Sequence, residues 1–183
     1  EDMENNMNWS NKKEVLDRVK YNPIELKFAS YEFRNDKEVV LMAVKHSYLA
    51  LEYVSNELRN DKDVVFAAIN QDIRALKYTD KALRDEKEFI LVAIQKDVRA
   101  LQFTSNELKN DKDVVFAAVR YSGYALQFAS DELKNDREFL SLILQNIHQS
   151  VHLAQKKVNE ANSNYGEEQN HWSMERGEMS HFY

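Results

Sequence analysis

Apolar side chains return along this chain at a fixed interval of 25 residues. Leu26, Leu51, Leu76, Leu101 and Leu126 share one phase of that interval. Phe28, Tyr53, Tyr78, Phe103 and Phe128 share a second, and Phe33, Leu58, Leu83, Leu108 and Leu133 a third. A fourth phase is small, with Ala43, Ala68, Ala93 and Ala118, and is broken by Ile143. The plainest instance is a doubled segment: Asn56–Asn70 and Asn106–Arg120 agree at twelve of fifteen positions, two intervals apart. Self-similarity at such a period marks repeat architectures, in which each unit buries its neighbour's apolar face. Five copies line up, over residues 22–46, 47–71, 72–96, 97–121 and 122–146.

Polar residues punctuate each copy at three phases. Asn22, Ser47, Asp72, Asp97 and Ser122 are residue types that cap free amides at a helix start, and Pro23 stands at the one helical position where proline costs nothing. Ser30, Ser55, Asp80, Ser105 and Ser130 open a single turn. Asn35, Asn60, Asp85, Asn110 and Asn135, each followed three residues later by Glu or Asp, resemble capping boxes. Each copy therefore reads as a helix A of about seven residues, a tight turn and a helix B of about eleven. Helix B, as in Val64–Ile69, is apolar almost all round, which suits a helix sandwiched between neighbours. Neither helix is long enough to persist alone in water. The alanine phase marks a close helix–helix contact.

The ends of the pattern read as caps. Within a half-repeat cap over 10–21, Ser10–Val19 matches helix B by the same shift, with Val15, Leu16 and Val19 at core positions and the polar Asp17 and Arg18 where later copies have Met42 and Ala43. At the other end, Leu140, Ile143, Leu144, Ile147, Val151, Ala154 and Val158 keep helical spacing as far as Asn159. The expected fold class is all-α, an α-solenoid of about five tandem two-helix repeats with terminal caps. The repeat domain is expected over 10–159, with residues 1–9 a disordered segment and 160–183 a disordered acidic tail.

The pattern of Ala50–Ile69, "ALEYVSNELRNDKDVVFAAI", and its echoes in every copy resemble the helical repeats of the domain-of-unknown-function family DUF4116. The resemblance covers about Ser10–Asn146. It implies tandem all-helical repeats and a role in protein interaction, and it brings no general catalytic residues. The first copy departs at Ile24-Glu25, the last at Ser141 and Ile143.

Composition narrows the function classes. Three glycines and one proline agree with helices rather than sheets, and the absence of cysteine excludes a disulfide framework and a thiolate metal site. No apolar run reaches the roughly 20 residues of a membrane span, and the first residues lack the apolar core of a signal peptide. The expected location is cytoplasmic, with delivery into a host cell left open. The formal charge of −6 resides at the ends: Asn5–Asn159 sums to +1. Such a body exerts no net pull on nucleic acid or anionic lipid.

The candidate chemistry is sparse. Asp36, Asp61, Glu86, Asp111 and Asp136 recur at helix starts, where the macrodipole favours acids, so they read as structural. Arg34, Arg59, Arg84, Lys109 and Lys134 form one basic ladder, and Lys37, Lys62, Lys87, Lys112 and Arg137 another; neighbouring acids neutralise both. His148 and His152 stand four apart with no third ligand near in sequence, so no metal and no cofactor are expected. The informative positions are those that vary while the scaffold does not. Tyr48, Arg74, Arg99, Tyr121 and Tyr124 fall where helix B hands over to helix A, and Tyr and Arg are the types most enriched at binding hot spots. The bland reading is that they only cover that junction. The sequence thus points to a non-catalytic scaffold for another protein. A regulator that blocks a partner enzyme, and polyanion binding through the ladders, are the alternatives.

Overall fold

The computed structural model describes Trp9 and Asn11–Met179, with side chains described as far as Asn162. The expected disordered segment at 1–9 and the last four residues of the expected tail, 180–183, thus lie outside the described residues, Trp9 apart. Among the described residues there is no strand, and no helix is long and apolar enough to cross a membrane.

The chain begins with α1 (Lys12–Tyr21) and then places three helical segments in each period. They are η1 (Pro23–Phe28), α2 (Tyr31–Arg34) and α3 (Lys37–His46), then η2 (Tyr48–Tyr53), α4 (Asn56–Arg59) and α5 (Lys62–Ile69). They continue with η3 (Ile73–Tyr78), α6 (Lys81–Arg84) and α7 (Lys87–Lys96), then η4 (Val98–Phe103), α8 (Asn106–Lys109) and α9 (Lys112–Tyr121). The series ends with η5 (Gly123–Phe128), α10 (Asp131–Asn135) and α11 (Arg137–Met179).

The segment expected as helix A is a six-residue 3-10 helix. Its side chains three apart eclipse, so Ile73, Leu76 and Thr79 fall on one face, and all three are buried. So short a segment gains little from α-helical hydrogen bonds, and its packing on the equivalent segments before and after decides its form. Each η helix packs on the next, from η1 through η5, and the longer helices pack in the order α1, α3, α5, α7, α9. The core lies between these two rows. Leu26, Leu51, Leu76 and Leu101 are fully buried, as are Ala43, Ala68, Ala93 and Ala118.

The cap of helix B stands one residue later than the capping-box reading placed it. Asn35 ends the short turn α2, whereas Asp36 is extended and its carboxylate accepts from the amides of Glu38 and Val39 at 3.0 and 3.2 Å. Asp61 and Asp111 cap α5 and α9 in the same way. The asparagines serve the next period instead: Asn35 accepts from the Ser55 hydroxyl at 2.6 Å, and Asn110 from that of Ser130. The Ser55 amide also donates to the Arg34 carbonyl at 3.0 Å, and Ser130 repeats this with Lys109 at 2.9 Å.

Each capping acid also holds the lysine of the preceding period. Lys12 reaches Asp36 at 2.7 Å, Lys37 reaches Asp61 at 2.8 Å, Lys87 reaches Asp111 at 2.9 Å and Lys112 reaches Asp136 at 2.7 Å. Lys62 pairs with Glu86. In Asp36, Asp61 and Asp111 one carboxylate therefore caps its own helix and pins its neighbour. Exposed pairs of this kind are worth little each, about 0–1 kcal/mol, but they set the register between periods.

These contacts have an acid limit. Burial alone would raise the Asp111 carboxyl; the Lys87 ammonium and the amides of Val114 and Asp113 outweigh it and hold the group below its usual value. A group depressed in the folded state contributes stability above its unfolded pKa of about 3.9, and that contribution is lost as pH falls through the lowered value. Asp111→Ala is therefore expected to cost about 0.5–2 kcal/mol at neutral pH, from the lost cap. Its difference from wild type is expected to narrow at about pH 2. Glu86→Ala is expected to cost less, because Glu86 makes no side-chain cap bond. Denaturant melts at both pH values check this.

The chain divides into two compact units at Asp136. The boundary lies inside the copy expected over 122–146 and short of the domain end expected at 159. The second unit is α11, a helix of 43 residues. It passes through Asn159, the expected end of order, and on to Met179. Loss of apolar spacing does not stop a helix: there is no proline beyond Pro23, and Gly166 and Gly177 each cost only about 1 kcal/mol. Once nucleated, each added residue gains its own bond.

Candidate functional site

The first residues of the η helices form a row, because the η helices pack side by side. In η3 the capping residue is Asp72, whose carboxylate accepts from the Arg74 amide at 2.8 Å. The same carboxylate takes the Arg74 guanidinium, Nε at 3.0 Å and Nη2 at 2.8 Å. Asp97 and Arg99 repeat the clamp in η4, with the amide at 2.9 Å, Nε at 3.0 Å and Nη2 at 2.6 Å. The extended backbone of each Asp makes this possible, since it directs the carboxylate back over the first turn.

The neighbouring units meet. The Arg74 guanidinium stands 5.4 Å from the centre of the Tyr48 ring, in η2. The Asp72 carboxyl is pulled down to about 2 by the Arg74 side chain first, then by the Arg74 amide, with Arg99 adding to the pull. The Arg99 side chain lowers Asp97 as well, against the effect of burial. Arg74 and Arg99 stay exposed and Tyr48 is half-buried. Each arginine thus offers a fixed planar face and its remaining N–H groups, while its charge is balanced by its own aspartate.

Of the five residues singled out in the sequence, the structure brings Tyr48 and Arg74 into contact and sets Arg99 beside them. Tyr124 lies in η5, which packs on η4, with its ring edge-on to Phe128 at 5.4 Å. Tyr121 closes α9 three residues earlier, and both tyrosines are 59% exposed. Sequence reasoning saw Asp72 and Asp97 only as caps. The Asp-x-Arg spacing, present at 72–74 and 97–99, is the signal that identifies the clamp.

The other candidates are occupied differently. Lys37, Lys62 and Lys87 are taken by the capping acids, from a neighbouring period rather than from adjacent sequence. The second ladder, Arg34 through Lys134, is half-buried. The Nε atoms of Arg34, Arg59 and Arg84 are buried without a partner, Arg84 Nη1 donates to the Phe103 carbonyl at 3.2 Å, and Arg59 Nη2 to Asn56 at 2.7 Å. His148 and His152 are exposed on α11, and no cluster of three or more His, Cys, Asp or Glu among the described residues is placed to hold a metal.

Comparison with curated proteins and with solved structures gives no match. The family model described as domain of unknown function DUF4116 matches four times, over residues 11–57, 36–84, 86–129 and 112–148. These overlapping matches run through all the short-period elements described above, from α1 into the start of α11. On that breadth, and on the agreement of its helical period with repeated matching of one model, the chain belongs to the DUF4116 family.

Proposed function

We propose that the periodic helices form an α-solenoid of five repeats, and that this solenoid is a non-catalytic scaffold for docking another protein. The consecutive packing of η1 to η5 and of α1 to α9 supports the solenoid. The observation that carries the function is the row of Tyr48, Arg74 and Arg99. These residues vary where the scaffold repeats, and Asp72 and Asp97 fix the two guanidinium groups in place before any partner arrives. A preformed edge loses little freedom on binding, so its contacts convert into affinity with less ordering cost. Tyr121 and Tyr124 extend the edge with exposed rings. Docking that covers a partner enzyme's active site is a special case of the same edge, distinguished by loss of the partner's activity on binding.

The test is titration calorimetry with the protein recovered on the immobilised chain. Arg74→Ala with Arg99→Ala is expected to weaken binding by more than about 1 kcal/mol. Folding stability is expected to stay within about 0.5 kcal/mol for each exposed change. Unchanged affinity in a folded double variant places docking on another face. A steep loss of affinity with added salt would favour a polyanion instead.

A further inference from the structure

The long helices of successive periods sort their charges between two edges. Lys37 reaches Asp61 and Lys87 reaches Asp111, start to start, while Lys96 at the end of α7 donates to Asn70 at the end of α5. Starts therefore lie with starts and ends with ends. The macrodipole favours acids at the first edge and cations at the second, and the sequence follows it. Each of α3, α5, α7 and α9 opens with two acids around one lysine, whereas the last turns of α3, α7 and α9 hold Lys45, Lys96 and Arg120 and no acid.

The two edges spend that charge differently. On the starting edge Lys37, Lys62 and Lys87 are each taken by an acid of the next period. On the ending edge η2 to η5 have no acid in their first turns, and Asp72 and Asp97 just before η3 and η4 are occupied by Arg74 and Arg99. Lys45, Lys96 and Arg120 are exposed, and among the described residues no carboxylate holds any of them. The clamps are neutral, and the helix ends beside them are not.

We infer that the ending edge takes an acidic segment of its partner, an extended stretch of chain bearing Asp or Glu side chains. This rests on the docking reading above and adds the chemistry of the docked segment. Lys45 shares its junction with Tyr48, and Arg120 shares its own with Tyr121 and Tyr124, so a carboxylate finds a cation where its apolar neighbours find a ring. The cations stand one to a helix end, and α5 ends without one, so they do not converge on a single phosphate group. A nucleic-acid strand carries a charge at every nucleotide and suits an unbroken basic track, which the end of α5 and the neutral clamps interrupt. Carboxylates set at intervals along a peptide match the spacing of these ends. The chain as a whole carries −6, so net charge repels such a segment and only the local field of this edge draws it in.

Short random peptides displayed on phage, selected against the immobilised full chain, test this; the most enriched sequence is then synthesised and titrated by fluorescence anisotropy. Enrichment of Asp and Glu is expected. Lys45→Gln, Lys96→Gln and Arg120→Gln together are expected to raise the Kd of that peptide more than about tenfold. Lys13→Gln, Lys81→Gln and Lys157→Gln remove the same charge at exposed positions elsewhere and are expected to change it by less than about threefold. Thermal melts verify that both triple variants stay folded. A peptide that is weakened by Arg74→Ala with Arg99→Ala, yet has no acidic excess or ignores the first triple variant, overturns the acidic segment and leaves the docking edge standing. A peptide indifferent to both sets of changes overturns the edge and the acidic segment together. Short single-stranded DNA that displaces the peptide at equal concentration overturns it in favour of a polyanion.

Discussion

Leu76→Ala is expected to destabilise the protein by about 2–5 kcal/mol, the range for removing a large buried side chain from a site that cannot collapse. Leu76 is fully buried in η3, which packs on η2, η4 and α5. What matters is that neighbours on both sides hold the cavity open. Leu16→Ala is the matched comparison. Leu16 is only half-buried, in α1 at the start of the packed series, so its truncation is expected to cost less. In a one-dimensional stack, stability is a sum over nearest neighbours, and an end element has one neighbour fewer. Guanidinium melts of the two variants decide this: equal losses would contradict a stack with weaker ends.

Ala93→Leu is the second change with a large expected effect, of about 1–3 kcal/mol through overpacking. Ala93 is fully buried in α7, between α5 and α9, and the equivalent Ala68 and Ala118 on those helices are fully buried too. Three added carbons at that contact force the helices apart or push side chains off their rotamers. Val92→Leu is the control, since Val92 is the adjacent residue and is 44% exposed. It is expected to stay within about 0.5 kcal/mol. A thermal melt in which both variants behave alike would show that the alanine phase is not a close contact.

The residues that could be read from sequence are those on which every period makes the same demand. Leu51, Leu76 and Leu101, and Ala43 through Ala118, recur because one packing position recurs, so their burial was legible at once. The choice between α and 3-10 geometry in Ile73–Tyr78 was not legible, because it depends on the segments packed beside it. Nor was the cap of α3. Asn35 and Asp36 are both capping types, and only the backbone separates them, Asn35 near ψ 6° at the end of one turn and Asp36 extended at the start of the next helix. The lysine ladder was visible as a ladder, but its partners are 24 residues away, and reading adjacent acids hid the pairing of Lys37 with Asp61. The continuation of α11 was missed because apolar spacing reports burial and not helix formation. Within the candidate site, Arg74 and Arg99 stood out as variable positions, whereas the hold of Asp72 and Asp97 on them emerged only from the geometry of the first turn.

The neutral balance of the clamps would shape what the proposed docking edge selects. Arg74 and Arg99 are each matched by an aspartate that stays ionised far below neutral pH, so the edge does not act as a bare cationic patch. Hydrogen bonding and stacking on the fixed guanidinium faces, with Tyr48 beside Arg74 and the exposed Tyr124 on the adjacent η5, are the contacts the proposed edge would offer a docking segment. The clamps release only in acid, Asp72 taking up its proton as pH falls through about 2 and Asp97 as pH falls through its own lowered value.

The central claim, that this edge docks a protein, is tested most directly by photo-crosslinking in cells of the native host. A photoreactive phenylalanine analogue is placed at Tyr124 and at Tyr48 on the edge, and at Val92 on α7 as the reference. The account predicts that both edge positions crosslink to one and the same protein, that Val92 does not, and that Arg74→Ala with Arg99→Ala abolishes the product. Crosslinking of that protein from Val92 alone, or an edge product that survives the double variant unchanged, would contradict it.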